Sequence, residues 1–243
     1  PPVAFFGYPD KPSLLYKQGA PIYTLAETEE DIYSSLKDLV QELDAVNLSP
    51  AYVAEYKRPE LPRGNISKEK IAQIIGAVLE ENTIVVDESV TTGRDFFPFT
   101  AGAPKHDWLN NRGGSIGYGM PVAIGASVAC PDRKVLLLEG DGSGMYTVQS
   151  LWTMVRENLN VIILIFANRS YEILRGELTN VGVKNPGPRA IDMLTLDRPY
   201  IDWVNMAKGM GLNATKVDNC ESLTKSMKTA FKEQGPFLIE VLM

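Results

Sequence analysis

Two short segments hold the residue types best suited to chemistry, Gly140-Asp141-Gly142-Ser143-Gly144 and Ala167-Asn168-Arg169-Ser170. An aspartate carboxylate and an asparagine amide carbonyl are hard oxygen donors, the kind that hold Mg²⁺ or Ca²⁺. Mg²⁺ typically takes one or two carboxylates and completes its octahedron with phosphate oxygens and water. A helix starting just after Gly142 would add free backbone N–H groups and the positive end of its dipole, both attractive to an anion. Ser143 and Tyr146 bring hydroxyls to that first turn. Together these parts describe a metal-bridged diphosphate site. A GDG turn alone is common, and a lone Asn is more often a strand-end cap, so the joint placement carries the reading.

That site exists only if the chain brings Asp141 and Asn168 together. Each segment directly follows an apolar run, residues 134–139 and 161–166, that reads as a buried strand. Neighbouring parallel strands would deliver both side chains to one edge, beyond the carboxyl ends where such sheets bind ligands. The surrounding pattern alternates in the same way. Ser67 caps a helix bearing Ile71, Ile74, Ile75, Val78 and Leu79, and residues 83–87 form a strand. A small-residue helix over 117–130 and a second helix over 144–157 flank the strand 134–139. An irregular segment, 176–199, leads to a helix over 201–210 and a strand over 213–217. The chain ends with a helix presenting Leu223, Met227, Ala230 and Phe231, then a strand over 237–242. Apolar strands alternating with helices predict an α/β fold, a parallel sheet with helices on both faces, over residues 67–243.

The first 66 residues read differently. Strands at 3–6 and 22–25 and a helix over 28–43, with Ile32, Leu36, Leu39, Val40 and Leu43 on one face, cannot close a core. Residues 1–46 are therefore expected to be the tail of a truncated α/β domain. Residues 47–66, with Pro50, Pro59, Pro62 and Gly64, read as a linker. The opening has neither an initiator methionine nor a signal-peptide pattern, so the chain is expected to begin inside something longer.

Composition removes several classes of function. Twenty-four Lys plus Arg against 30 Asp plus Glu give a net charge of −6, without the basic footprint of a nucleic-acid binder. The longest apolar run, residues 161–167, is far too short to span a bilayer as a helix. Two cysteines, Cys130 and Cys220, imply no disulfide framework and point to a reducing, cytoplasmic setting. Both read as packing residues, and His106, between Lys105 and Asp107, reads as a solvated side chain. Glu88 and Glu172 are candidate acid/base groups by type only. The glycines at 113–119 run G-G-x-x-G-x-G with no strand leading into them, which argues against a dinucleotide loop.

Gly140-Asp141-Gly142, then 25 residues, then Asn168 resembles the thiamine diphosphate signature. Residues 67–243 are similar to the diphosphate-binding domain of the benzoylformate decarboxylase and acetolactate synthase group. The supporting segments are 87–92 (DESVTT), 113–121 (GGSIGYGMP), 150–153 (SLWT) and 170–175 (SYEILR). Residues 1–46 resemble the end of that family's Rossmann-like middle domain. The resemblance implies thiamine diphosphate and Mg²⁺ as cofactors, with the metal held by the side chains of Asp141 and Asn168 and the backbone carbonyl of Ser170. Thr91, Gly140, Gly142, Ser143 and Tyr146 would line the diphosphate, with Tyr171 nearby. Gly114 and Ser115 would meet the aminopyrimidine, and Ile116 would sit beneath the bent cofactor. Ile173 and Leu174 would lie beside the substrate, the branched Ile173 favouring small aliphatic 2-oxo acids. Ala167, where many members carry Asn, and Val90, where some carry a hydroxyl, depart from the family pattern.

The family's activating glutamate lies on a separate pyrimidine-binding domain that this stretch lacks. The resemblance thus implies half of an active site for a 2-oxo acid decarboxylase or carboligase, catalytically complete only with that domain, in the same longer chain or a partner chain. A homodimer or homotetramer is the implied assembly, and a flavin in the missing region is left open. The competing readings are a non-catalytic, cofactor-binding or regulatory subunit, and a nucleotide-binding oxidoreductase domain.

Overall fold

The computed structural model describes residues 11–53, 55–111 and 113–243. The chain divides into two compact units, Pro1–Ala54 and Glu55–Met243.

In the first unit, α1 (Ile32–Glu42) is capped by Asp31, whose carboxylate accepts from the backbone N–H groups of Tyr33 and Ser34. Its apolar side chains Ile32, Leu36, Leu39, Val40 and Leu43 are all exposed. The expected strand at 22–25 does not form. Ile22, Tyr23 and Leu25 stand in solvent, because an extended segment is stable only when a neighbouring strand takes up its backbone groups. The expected strand at 3–6 lies outside the described residues.

The second unit is built on six parallel strands: β1 (Ile84–Glu88), β2 (Asp107–Asn110), β3 (Val135–Gly140), β4 (Val161–Ala167), β5 (Asn213–Val217) and β6 (Phe237–Leu242). Their order across the sheet is β2-β1-β3-β4-β6-β5. Helices α2 (Lys68–Val78), α3 (Phe96–Thr100) and α9 (Cys220–Lys232) cover one face, and α4 (Gly119–Ala129), α5 (Ser150–Arg156) and α8 (Trp203–Gly209) cover the other. The two-residue period of each strand feeds both cores. Leu136 and Leu138 pack with Ile75, Phe96 and Met227, whereas Val135 and Leu137 pack with Met120, Leu151 and Trp203. Every residue of β4 is buried, the signature of a central parallel strand.

Local chemistry fixes the helix starts. Ser67 Oγ accepts from Lys70 N and Asn219 Oδ1 from Ser222 N. The segment before α2 lacks regular structure yet is tied to the second unit. Arg58 donates to the carbonyls of Ala77 and Leu79 at the end of α2, and Asn65 bridges to Asn219. The sequence pattern missed the edge strand β2, the five-residue α3, and α6 (Glu172–Asn180) and α7 (Pro188–Met193), which occupy much of the stretch read as irregular. The helix expected over 144–157 is split into a 3₁₀ turn, Gly144–Thr147, and α5.

One topological feature locates a site. From β1 the chain runs outward to β2 and then returns to place β3 on the other side of β1. The connections therefore diverge at the β1/β3 junction, and the crevice beyond the carboxyl ends there is where such sheets accommodate ligands.

Candidate functional site

A cavity of about 390 Å³ opens at that junction. Its walls come from the segments after β1 (Ser89, Val90, Thr91, Thr92), after β3 (Asp141, Gly142, Ser143) and after β4 (Asn168, Ser170, Tyr171). Gly140, Tyr146, Ile116, Ile173 and Leu174, also expected at the site, line it as well. β3 and β4 pair in parallel with Gly140 opposite Phe166, so Asp141 and Asn168 leave adjacent strands at nearly the same level. Gly114 and Ser115 are not among the lining residues and lie on an exposed loop.

Asp141 is buried, and one of its oxygens, Oδ2, accepts from the backbone N–H of Arg169 at 2.7 Å. Burial pushes its carboxyl from 3.8 up to about 6, against the lowering effect of the backbone N–H groups of Arg169, Gly142 and Asp141 itself. Among the described residues, no Lys, Arg or His lines the cavity. A buried carboxylate facing a space without a cation suits a metal ion better than a bare anion. Arg169 delivers its N–H by adopting a left-handed backbone, φ 55°. Asn168 Oδ1 accepts from Ser170 N at 2.9 Å, which closes the turn and fixes the amide beside Asp141. Ser170 is in turn bridged to Thr195, and its hydroxyl donates to the carbonyl of Leu194 at 3.1 Å.

Among the described residues, no group of three or more His, Cys, Asp and Glu side chains is arranged to hold a metal alone. One carboxylate and one amide leave most of an octahedron to other oxygens. That donor set fits Mg²⁺ shared with a diphosphate rather than a metal caged by protein.

Ser143 stands on the wall, but its hydroxyl donates inward to Glu139 Oε1. Glu139 and Glu88 are both almost wholly buried, and their strands are in register with the two residues opposite each other. Two adjacent buried carboxyls cannot both ionise at low cost. Glu88 accepts backbone N–H bonds from Gly117 and Gly119, each at 2.5 Å, and so takes the charge. Burial first, and the charge of Glu88 second, push Glu139 well above the usual carboxylate range. Glu88 is thus a buried loop anchor outside the cavity lining, while Glu172 sits on the lining and pairs with Arg175 at 3.6 Å. The Glu139 partnership escaped the sequence reading, although a glutamate ending an apolar strand just before GDG was its signal.

Val90 also exceeds what the sequence suggested. It lines the cavity with φ 50°, a left-handed backbone that a β-branched side chain rarely adopts. Met193 and Leu194, from the segment read as irregular, add apolar wall beside Ile173 and Leu174. His106 and Cys220 lie elsewhere. His106 Nδ1 pairs with the carbonyl of Pro104 at the amino end of β2, and Cys220 is buried at the start of α9. Cys130, half-buried, follows α4.

Comparison with known proteins agrees with this geometry. Residues 91–241 match the family described as "Thiamine pyrophosphate enzyme, C-terminal TPP binding domain". The whole chain is 47% identical to IlvX of Mycobacterium tuberculosis, provisionally named an acetolactate synthase large subunit, and covers 47% of that protein. Over 179 residues it is 30% identical to benzoylformate decarboxylase of Pseudomonas aeruginosa, spanning 73% of this chain and 32% of the relative. The thiamine diphosphate-dependent 4-hydroxybenzoylformate decarboxylase of Rhodococcus jostii superposes with a TM-score of 0.71 at 27% identity, over 86% of this chain and 39% of that one. This chain therefore spans about half or less of the proteins it matches. With a six-stranded parallel sheet, an oxygen-donor cavity at its switch point and a family match over residues 91–241, the chain belongs to the thiamine pyrophosphate enzymes, of which it carries the C-terminal, cofactor-binding domain.

Proposed function

We propose that this chain supplies the diphosphate- and metal-holding half of an enzyme that decarboxylates a 2-oxo acid, or joins the resulting fragment to a second carbonyl, with thiamine diphosphate and Mg²⁺. The observation that carries this reading is Asp141, a buried carboxylate on the wall of a cavity that has no cationic residue among those described on its lining. A diphosphate entering alone would meet that carboxylate with like charge, and a divalent cation between them would neutralise both.

Asp141 and Asn168 by side chain and Ser170 by its carbonyl would hold the metal. Thr91, Ser143, Tyr146 and the backbone of Gly140 and Gly142 would line the diphosphate, with Tyr171 beside them. Ile116 would support the middle of the cofactor, with Gly114 and Ser115 at its pyrimidine end. When bound, the thiazolium ring supplies a sink for the electron pair left as CO₂ departs. The protein's own task is to hold the ends of the cofactor rigidly and keep water from the reacting carbon. Ile173, Leu174, Met193 and Leu194 make the adjoining wall apolar, and no described lining cation could pair a second carboxylate. These features favour a 2-oxo acid with an apolar tail, the branched Ile173 restricting its size.

The remaining parts follow from the family. Residues 1–46 would end a middle domain, 47–66 would link it, and 67–243 would form the cofactor domain. The activating glutamate would come from a pyrimidine-binding domain elsewhere in a longer chain or on a partner, in a cytoplasmic dimer or tetramer. Isothermal titration tests the central claim. Thiamine diphosphate should bind only with Mg²⁺ present, and Asp141→Ala should abolish binding in a folded protein. Metal-independent binding, or binding retained by Asp141→Ala, would overturn the assignment.

A further inference from the structure

Glu88 ends β1 in the run Ile84-Val85-Val86-Asp87-Glu88 and is 1% exposed, without an ion-pair partner among the described residues. A buried carboxylate without a cation must satisfy its oxygens on other donors. Glu88 does so on one short stretch of backbone. Oε1 accepts from Gly117 N and Oε2 from Gly119 N. The Thr147 hydroxyl donates to the carbonyl of Gly117 at 3.0 Å.

The residue types at the gripped positions match this arrangement. Gly117 has φ 85°, where a side chain would be strained. A Cβ on Gly119 would stand 2.6 Å from Glu139 Oε2 and 2.9 Å from Glu88 Oε2, so only glycine permits the approach. The peptide units on either side of Gly117 are therefore clamped. The residue immediately before Gly117 is Ile116, which lines the cavity yet is still 44% exposed. Its place on the wall is set by the clamp rather than by burial.

We propose that Glu88 is a positioning residue: by gripping the amides of Gly117 and Gly119 it sets where Ile116 stands, and hence where the ring end of the cofactor is seated. This rests on the cofactor reading above. Apart from Thr91, which follows β1, the diphosphate corner is built from different segments, those after β3 and β4. Loosening the glycine loop should therefore spare the phosphate end and impair the ring end. Glu88→Gln is the direct probe, since it keeps the shape but turns an NH₂ donor toward one of the two N–H groups.

The experiment measures, on the full chain with Mg²⁺, the affinity for thiamine diphosphate and for inorganic pyrophosphate, with amide hydrogen exchange at Gly117 and Gly119. Glu88→Gln should speed exchange at both glycines, weaken thiamine diphosphate at least tenfold and leave pyrophosphate within about twofold. Thr147→Val, a milder change at a half-buried position, should cause a two- to fivefold loss of the same selectivity, and it stands in if Glu88→Gln fails to fold. Faster exchange with both affinities unchanged would make Glu88 purely structural, and equal loss of both ligands would give it no preference for the ring end. Either result overturns the proposal while leaving the cofactor reading intact. A wild-type chain that binds neither ligand would overturn both.

Discussion

Asp141 and Glu240 are carboxylates buried at the same sheet, and they are treated in opposite ways. Glu240, within β6, faces Lys216 of β5 at 3.3 Å, so its counter-charge is built into the neighbouring strand. Asp141, just after β3, has no such partner among the described residues and only backbone N–H groups for support. Burial raises both carboxyls above their usual range, and for Glu240 the nearby Lys216 opposes the rise. In this pair the carboxylate that serves the fold comes with its cation, whereas the one on the cavity wall leaves room for a cation from outside. The two corners are also joined, since the Tyr200 ring stacks against the Arg169 guanidinium at 4.8 Å and the Lys216 ammonium at 5.3 Å.

The largest expected effect is at Asp141. Asp141→Asn keeps the shape and removes the charge, so metal-dependent cofactor affinity should fall at least about 100-fold, as expected when the only carboxylate of a metal site is lost. The same change should stabilise the ligand-free protein. The interval from 3.8 to about 6 corresponds to about 3 kcal/mol at neutral pH, an upper bound because the carboxylate also keeps backbone hydrogen bonds that Asn only partly replaces. Urea melts of the two proteins at pH 7.5 measure it. A less stable Asp141→Asn would mean that this carboxylate is a structural group like Glu240.

Lys216→Met should do the opposite. It leaves Glu240 buried without its cation, and stability should fall by about 2 kcal/mol. That is below the usual cost of breaking a buried pair, because the lysine is 34% exposed and its attraction is partly screened. Cofactor affinity should change little. Equal stability of Lys216→Met and wild type would erase the contrast between the corners.

Much of the Asp141 corner is legible in the amino-acid sequence. The neighbouring placement of Asp141 and Asn168 follows from two apolar strands that each end in a polar turn, because a strand buried on both faces has few other readings. Two short elements show too little pattern to read: β2, four residues and mostly exposed, and α3, five residues with Pro98 inside it. The clamp of Glu88 on the glycine loop is hidden for another reason. Glu88 ends β1 and Glu139 stands one residue before the end of β3, and they meet only once the two strands align in register, a relation that local pattern does not encode. The apolar stretch at 22–25 shows the converse error, since strand-like composition without a partner strand yields no strand.

The Glu88–Glu139 pair, buried without a cation among the described residues, makes stability depend on pH. A carboxyl whose folded pKa is raised contributes stability that is full below its unfolded value, 4.5 for Glu139, and that is lost as pH rises through the folded value. The ligand-free chain should therefore lose stability as pH climbs from about 4.5 toward neutrality. Glu139→Gln should flatten part of that slope by about 1–2 kcal/mol, the cost of ionising one poorly solvated carboxyl. Parallel pH–stability curves for the two proteins would show that Glu139 ionises freely and that the pair shares no proton.

The smallest effect concerns Val90, whose left-handed backbone on the cavity wall has no counterpart at the Glu240 corner. Such a conformation costs a β-branched residue about 1–3 kcal/mol. Glycine adopts it freely but adds about 0.5–1 kcal/mol of chain entropy to the unfolded state. Val90→Gly should thus stabilise the protein by about 1 kcal/mol and raise the melting temperature by a few degrees. The same change frees the turn that carries Ser89, Thr91 and Thr92 to the cavity. If the strain serves to hold that turn in place for the ligand, cofactor affinity should fall severalfold while stability rises. A melting temperature that rises with affinity unchanged would make the strain incidental, and one that falls would show that the valine side chain contributes more to packing than its backbone costs.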